Sequence, residues 1–493
     1  MERRKRELPG LGRFESLRQW KRPLAWLFLI YLVGVSAILR ADFNYADDLS
    51  RVVSGYKGWH YFSRHLTVFL SGIIHADDYL TDISPLPQIL ALMLLALTGV
   101  IVLHVLGGKA KRPIAGLIAL VPLALSPYFL ECISYKYDAP YMAISIFAQV
   151  FPILFAPCGV IPYAVATILG MLATCTTYQA ALGVFPMLVI AVALRRWNNG
   201  EAFKSVLRFA LISGVSYAIG VLIFQQFILI PIDSYASTNP PPPGEFIPLT
   251  LANYRQYFSL IRSDFKHIWK WLLAFLCAAF ALCSTRDSKQ NKVLAFLLSC
   301  VSVLAMLALC FGVYPFLTKP LFVPRGMYGF GVFIALIGAY VATSERRMVT
   351  GQLISLVLSW CFFVFAFTYG NALYNQKTYT DFRIHMVIDD LKNEHLLTQG
   401  EIKHVQLTGT IGYAPAVRNM PQDYQMLNRL VPINFADSHY EFAHRSFNDY
   451  YRLPVMRFDS SVDLSTYDLP LVVDNFYHTI YADDEHMLIE LKP

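Results

Sequence analysis

Two adjacent acids, Asp47 and Asp48 in the stretch NYADDLSR, follow closely on the first long apolar run of the chain. A positioned carboxylate can take the proton of a poor nucleophile while a bond forms. Arg, Lys or His aimed at a departing anion stabilises the charge it gains. Groups of that second kind recur in short polar segments: Arg64 and His65 in SRHL, Lys136 beside Asp138 in SYKYDAPY, and Lys319 and Arg325 in KPLFVPRGMYG. Tyr178 and Gln179 in TTYQA add hydrogen-bonding side chains at the top of an apolar run. No D-x-D occurs between residues 41 and 84, and adjacent Asp side chains diverge, so neither a metal nor another cofactor is expected.

These groups must be positioned by helices in a membrane. The chain is 56% hydrophobic and 15% charged, with a mean hydropathy of +0.44; soluble domains are nearer a quarter charged. Eight of its 41 Lys and Arg fall in the first 22 residues, just before PLAWLFLIYLVGVSAIL. That placement marks a cytoplasmic anchor and not a nucleic-acid arm. No small-residue cleavage site follows the run, so it is read as a retained span. Eleven segments are apolar enough to cross, several of them short or Pro-interrupted. They lie near 23–40, 85–106, 114–130, 140–156, 161–174, 179–194, 209–230, 268–283, 293–314, 327–343 and 350–369. The expected inner segments hold 20 Lys and Arg in 62 residues, against 9 in 108 for the expected outer ones. The positive-inside rule then puts the N-terminus inside and the tail outside.

The same topology sorts the acids. Of ten Asp before residue 370, nine fall on the expected outer side, and no Asp or Glu sits in mid-span. An intramembrane proton or ion relay is therefore not indicated. Eight Cys lie in or near spans without any CxxC, which supports neither a disulfide framework nor a zinc site.

Three units are expected: a basic N-terminus (1–22), a membrane domain (23–369) with long outer loops at 41–84 and 231–267, and a small α/β tail domain (370–493). In the first loop, VVSGYKGWHYFSRHLTVFLSGII reads as helices along the membrane surface, with Tyr56, Trp59, Tyr61 and Phe62 in the interfacial belt. In the second, STNPPPPGE is stiff and extended, and the amphipathic LANYRQYFSLIRSDFKHIW after it is read as a lid over a lipid-facing cleft. In the tail, TYTDFRIHMVIDDLKNEHL predicts an amphipathic helix, IKHVQLTGTIGY a strand ending in a Gly turn, and VVDNFYHTIYADDEHMLIELK two strands around an acidic turn. A packing cap or an acceptor-docking surface would both suit that domain.

The run ADFNYADDLSR, with SRHL, TDISPLPQIL, SYKYDAPYM and PRGMYGFG in order behind it, resembles the phage-type, serotype-converting O-antigen glucosyltransferases of Gram-negative bacteria. The resemblance covers about residues 40 to 345. It implies a polytopic α-helical fold of the GT-C class in the bacterial inner membrane. It implies transfer of glucose from undecaprenyl-phosphate glucose to a hydroxyl of the lipid-linked O-antigen on the periplasmic face. A small flippase and an enzyme that makes the donor lipid are the implied partners. Asp47 or Asp48 would then serve as general base with inversion at the sugar carbon, Arg64, His65, Lys136 and Arg325 would hold the donor phosphate, and Asp138, Tyr178 and Gln179 would bind substrate.

Each residue also has a plainer reading. Asp47 or Asp48 can cap the following helix or pair with Arg51. Lys136 and Asp138 can form a local ion pair, and Arg64, His65 and Arg325 can snorkel at the interface. Tyr178 and Gln179 can be ordinary interfacial residues. Asp77 and Asp78 in HADDY look like a solvated helix end. Two rival functions remain: an O-antigen polymerase would share the outer location, whereas a transporter of lipid-linked sugars should show mid-bilayer polar groups or internal repeats, and neither is found.

Overall fold

A computed structural model of the chain describes residues 17–107, 113–233, 236–397, 403–437, 446–447, 450–453, 456–458 and 463–493. The basic N-terminal residues 1–16 lie outside that set. In hydrocarbon every backbone N–H and C=O must be paired within its own segment, so apolar runs become helices. In chain order these are α1 (Leu17–Ala41), α2 (Asp48–Ser54), α3 (His65–His75), α4 (Leu86–Gly107), α5 (Pro113–Ala119), α6 (Val121–Leu125), α7 (Pro127–Ser134) and α8 (Ala139–Val150). There follow α9 (Val160–Cys175), α10 (Val184–Asn198), α11 (Phe203–Phe227), α12 (Phe246–Asp264), α13 (His267–Asp287), α14 (Lys292–Leu309), α15 (Gly329–Ala342) and α16 (Val349–Asn393).

Every expected apolar segment contains helix, but the full-length spans number eight, or nine if one bent pair crosses as a unit, among the described residues. The bent pair, Ile114–Leu125 and Pro127–Ser134, turns by 58°. Its cause is local: Ser126 precedes Pro127 and is held extended at φ −61°, ψ 141°, because the proline ring excludes helical geometry from the residue before it. The two remaining segments, α9 and α15, have 16 and 14 residues. At 1.5 Å per residue they fall short of a hydrocarbon core of about 30 Å. α15 is buried at every position, so it serves as a central helix enclosed by its neighbours. The eleven or so expected segments, several of them short or Pro-interrupted, thus become eight long helices, one bent pair and two short helices among the described residues.

The composition change at Gly370 is not a break in the chain's structure. α16 runs unbroken for 45 residues, so the expected amphipathic helix of the tail is its far end. Ile384, Val387 and Leu391 on that end pack on a five-stranded sheet. Its strands are β1 (Lys403–Gly409), β2 (Met456–Phe458), β3 (Leu471–Asp474), β4 (His478–Ala482) and β5 (His486–Leu491), in the order β2-β1-β5-β4-β3. β1 lies parallel to β2 and β5, while β3–β4 and β4–β5 are antiparallel. β4 and β5 are the expected strands around the acidic turn, and β1 ends as expected at Gly409, φ +75°. β2 was not anticipated, and the first of the two strands expected around that turn divides into β3 and β4. Arg383 of α16 is buried and donates to the carbonyls of Lys492 (2.6 Å) and Tyr477 (2.5 Å), which pins helix to sheet.

α1 and α16 run against each other at a close approach that only glycine permits. A Cβ at Gly370 would lie 2.5 Å from the carbonyl carbon of Ala37, whereas one at Gly214 would meet nothing within 4 Å. Gly370→Ala should therefore lower stability by about 1–3 kcal/mol through overpacking, while Gly214→Ala should be neutral or gain up to about 1 kcal/mol in helix propensity. Thermal unfolding of the purified protein in one detergent checks the pair.

Candidate functional site

The loop after α1 turns sharply, with Asp42 and Ala46 both at φ 46°, and delivers Asp47 and Asp48 to the start of α2. Neither acid caps that helix: Asp47 occupies the cap position with helical dihedrals and no side-chain bond to the backbone. The two side chains part company instead. Asp47 is 63% exposed, with Arg51 3.9 Å away. Asp48 is fully buried; its Oδ2 accepts the backbone N–H of Lys136 (2.9 Å) and of Tyr45 (3.3 Å). Asp48 therefore ties the first loop to the turn after α7, across 88 residues of chain.

A buried guanidinium completes the tie. Arg51 forms an ion pair with Asp138 and lies 3.7 Å from Asp48. The other oxygen of Asp138 accepts the indole N–H of Trp59 (2.6 Å), and the Arg51 guanidinium sits 4.7 Å from the Trp59 ring centroid. Both oxygens of Asp138 are thus engaged, and the expected local pair with Lys136 is not formed. Trp59 is 1% exposed, so it belongs to the core and not to the interfacial belt. Two carboxyls share one cation here, and burial pushes the Asp48 carboxyl up to about 8, with Arg51 and the Lys136 N–H opposing and Asp138 reinforcing the shift.

The Ser134–Lys136 turn also supplies Tyr135. The Arg325 guanidinium lies over the Tyr135 ring, 5.4 Å from its centroid, and bonds to buried Glu131 of α7 at 2.8 Å. The Arg325 backbone N–H donates to the second Glu131 oxygen. Arg64 stacks on Tyr178, 4.6 Å from that ring's centroid. The Tyr178 hydroxyl is buried without a hydrogen-bond partner and is acted on by both Arg325 and Arg64. Burial raises the Tyr135 phenol, whose surroundings include Arg325, Glu131 and Asp47. The structure therefore sets Arg325 over the Tyr135 ring and Arg64 over the Tyr178 ring, and the charge of the exposed Asp47 acts on the Tyr135 phenol.

The other expected site residues are placed elsewhere. The Lys136 ammonium pairs with Asp42 and reaches Asn44 (2.9 Å) and Asp82 (3.4 Å), so its charge is already matched by carboxylates. His65 is exposed on the first turn of α3. Gln179 donates to the carbonyls of Cys175 (2.7 Å) and Phe62 (3.2 Å), fastening the end of α9 to the first loop. Asp77 and Asp78 are exposed, and Asp77 accepts the N–H of Tyr79 at 3.2 Å, a solvated turn as expected. Glu131 and Tyr135 were missed. Glu131 stands at the end of an apolar run, and the recurrence of an acid there opposite Arg325 was the signal available.

The second long loop is fastened as well. Asn253 and Tyr257 of α12 donate to the carbonyls of Pro315 (3.0 Å) and Leu321 (3.0 Å). Buried Asp264 accepts from Tyr128 of α7 (2.9 Å) and pairs with Arg429 of the tail domain. That domain is thereby latched to the bent span that carries the site.

A helical membrane protein with carboxylates, arginines and aromatics gathered between its first loop and a bent span is the class that fold and site define. The profile of the glucosyl transferase GtrII family matches residues 36–336, and the chain belongs to that family. It is also 24% identical over 430 residues to an "uncharacterized 55.3 kDa protein in gtrB 5'region" of Salmonella phage P22, covering 82% of this chain and 86% of that one. No solved structure matches it.

Asp48 generates a pH prediction. An unfolded Asp releases its proton near pH 4, whereas the folded carboxyl keeps it to about 8. Between those values the folded state binds more protons, so the Asp48 contribution to stability falls as pH rises and is flat above about 8. Asp48→Asn retains an acceptor oxygen for the two N–H groups and should flatten the decline of the unfolding midpoint between pH 4 and 8. An unchanged slope in the variant would contradict the assignment.

Proposed function

We propose that this protein transfers glucose from undecaprenyl-phosphate glucose to a hydroxyl of the lipid-linked O-antigen repeat, at the periplasmic face of the bacterial inner membrane, within a GT-C-like helical domain. The observation that carries the reading is the separation of the two acids in a GtrII-family chain: Asp48 is sealed in a buried ion cluster, while Asp47 keeps an exposed carboxylate at the edge of that cluster, 3.9 Å from Arg51, where its charge acts on the Tyr135 phenol. In this reading Asp47 takes the acceptor hydroxyl proton as that oxygen bonds to the anomeric carbon. The bond from the same carbon to the phosphate oxygen breaks on the opposite face, and its electron pair leaves with the phosphate. The sugar carbon inverts.

Arg325, oriented by Glu131, and Arg64, stacked on Tyr178, receive the charge on the departing phosphate. A phosphate there would also supply the partner that the buried Tyr178 hydroxyl lacks. Nucleotide sugars are cytoplasmic, so an outward-facing transferase needs a donor already carried across on a lipid. A small flippase and a donor-lipid-synthesising glucosyltransferase are the functional partners this requires.

The test is the O-antigen itself, compared by NMR and mass spectrometry in cells with and without the protein. One added hexose per repeat is the expected result. Altered chain length with unchanged repeats would replace the reading by a polymerase, and identical O-antigen in both cells, with the protein present in the membrane, would overturn it.

A further inference from the structure

A cavity of about 370 Å³ lies where the end of α1, the start of α4, the Ser134–Lys136 turn and α16 meet. Its size falls in the range of small-molecule sites. The polar part of its wall is Asp42, Asp82, Ser84, Gln88, Ser134 and Lys136, and the rest is apolar. Its charges are internally matched: Lys136 pairs with Asp42 and Asp82, and Lys377 reaches Asp42 at 3.5 Å. A balanced wall of this kind suits a neutral, hydroxyl-rich ligand better than an ion.

One side chain asks for such a ligand. Gln88 is 4% exposed, yet its carboxamide oxygen has no hydrogen-bond partner. Buried polar atoms are nearly always paired, and an unpaired one is costly. Asp82 is held in place by the Ser84 N–H (2.9 Å) and hydroxyl, so its carboxylate is a fixed acceptor. The cavity also adjoins the buried ion cluster, since Lys136, which lines it, donates its backbone N–H to Asp48.

We propose that this cavity is a saccharide subsite, in which one hexose unit of a substrate donates hydroxyl hydrogen bonds to Gln88, Asp82 and Asp42. The proposal rests on the glycosyl-transfer reading. The hexose belongs either to the glucose donor or to the acceptor repeat, and the two sources separate kinetically.

The experiment uses the full chain in lipid nanodiscs with Gln88→Leu, and with Gln88→Met as a second variant should Leu fail to accumulate. Loss of one hydrogen bond should raise one KM on the order of tenfold, with kcat nearly unchanged. The KM of undecaprenyl-phosphate glucose rises if the cavity holds the transferred sugar, and that of the lipid-linked repeat rises if it holds the acceptor. The unfolding midpoint should not fall, because an apolar side chain removes an unpartnered buried oxygen. Saturation-transfer NMR with methyl glucoside and with delipidated O-antigen oligosaccharide supplies a readout independent of turnover; one probe should show contact in the wild type and lose it in the variant. Unchanged KM values and an unchanged NMR signal in a folded variant overturn the subsite. Sugar contact in a wild type that transfers nothing leaves the subsite standing and removes the transfer reading.

Discussion

The arrangement of the site depends on one buried cation. Arg51 holds Asp138, Asp48 and, more distantly, Asp47 around a single guanidinium, and through them it joins the first loop to the turn that follows the bent span. Taking such charges out of water is costly, and stranding one by removing its partner typically costs about 3–5 kcal/mol. The cluster is retained here with each oxygen of Asp138 bonded and with a tryptophan face over the cation. Its structural consequence is that the neighbouring acid, Asp47, is left pointing out.

That division clarifies what a pair of adjacent acids can do. Neighbouring residues at a helix start point in different directions, so one can be anchored while the other stays available. Asp48 gives up solvent to bind two backbone N–H groups, and burial keeps its proton on to about pH 8. A group so enclosed is a poor proton acceptor for a substrate, whereas the proposed chemistry asks for an accessible carboxylate near cations. Glu131 plays a supporting part, because its two oxygens hold both the guanidinium and the backbone of Arg325.

Much of the helical architecture was legible from composition and from the apolar runs, since lipid leaves the backbone little choice. The family could be read from ordered short motifs. What could not be read depends on contacts far apart in the chain. Trp59 has the composition of an interfacial aromatic, and only Asp138, 79 residues away, makes it a core residue. Lys136 and Asp138 are neighbours in sequence but serve opposite partners, Asp42 and Asp82 for one, Arg51 and Trp59 for the other. The continuity of α16 was hidden because hydrophobicity changes at Gly370 while helical geometry does not.

The central claim is that Asp47 carries the chemistry and Asp48 carries the structure. Its most direct test compares single-turnover glucose transfer by purified Asp47→Asn and Asp48→Asn, with unfolding midpoints measured alongside. Asp47→Asn should lose about 10²- to 10⁴-fold in rate at an unchanged midpoint, and Asp48→Asn should keep its rate once corrected for the folded fraction. Wild-type transfer by Asp47→Asn, or a folded Asp48→Asn without transfer, would contradict the account.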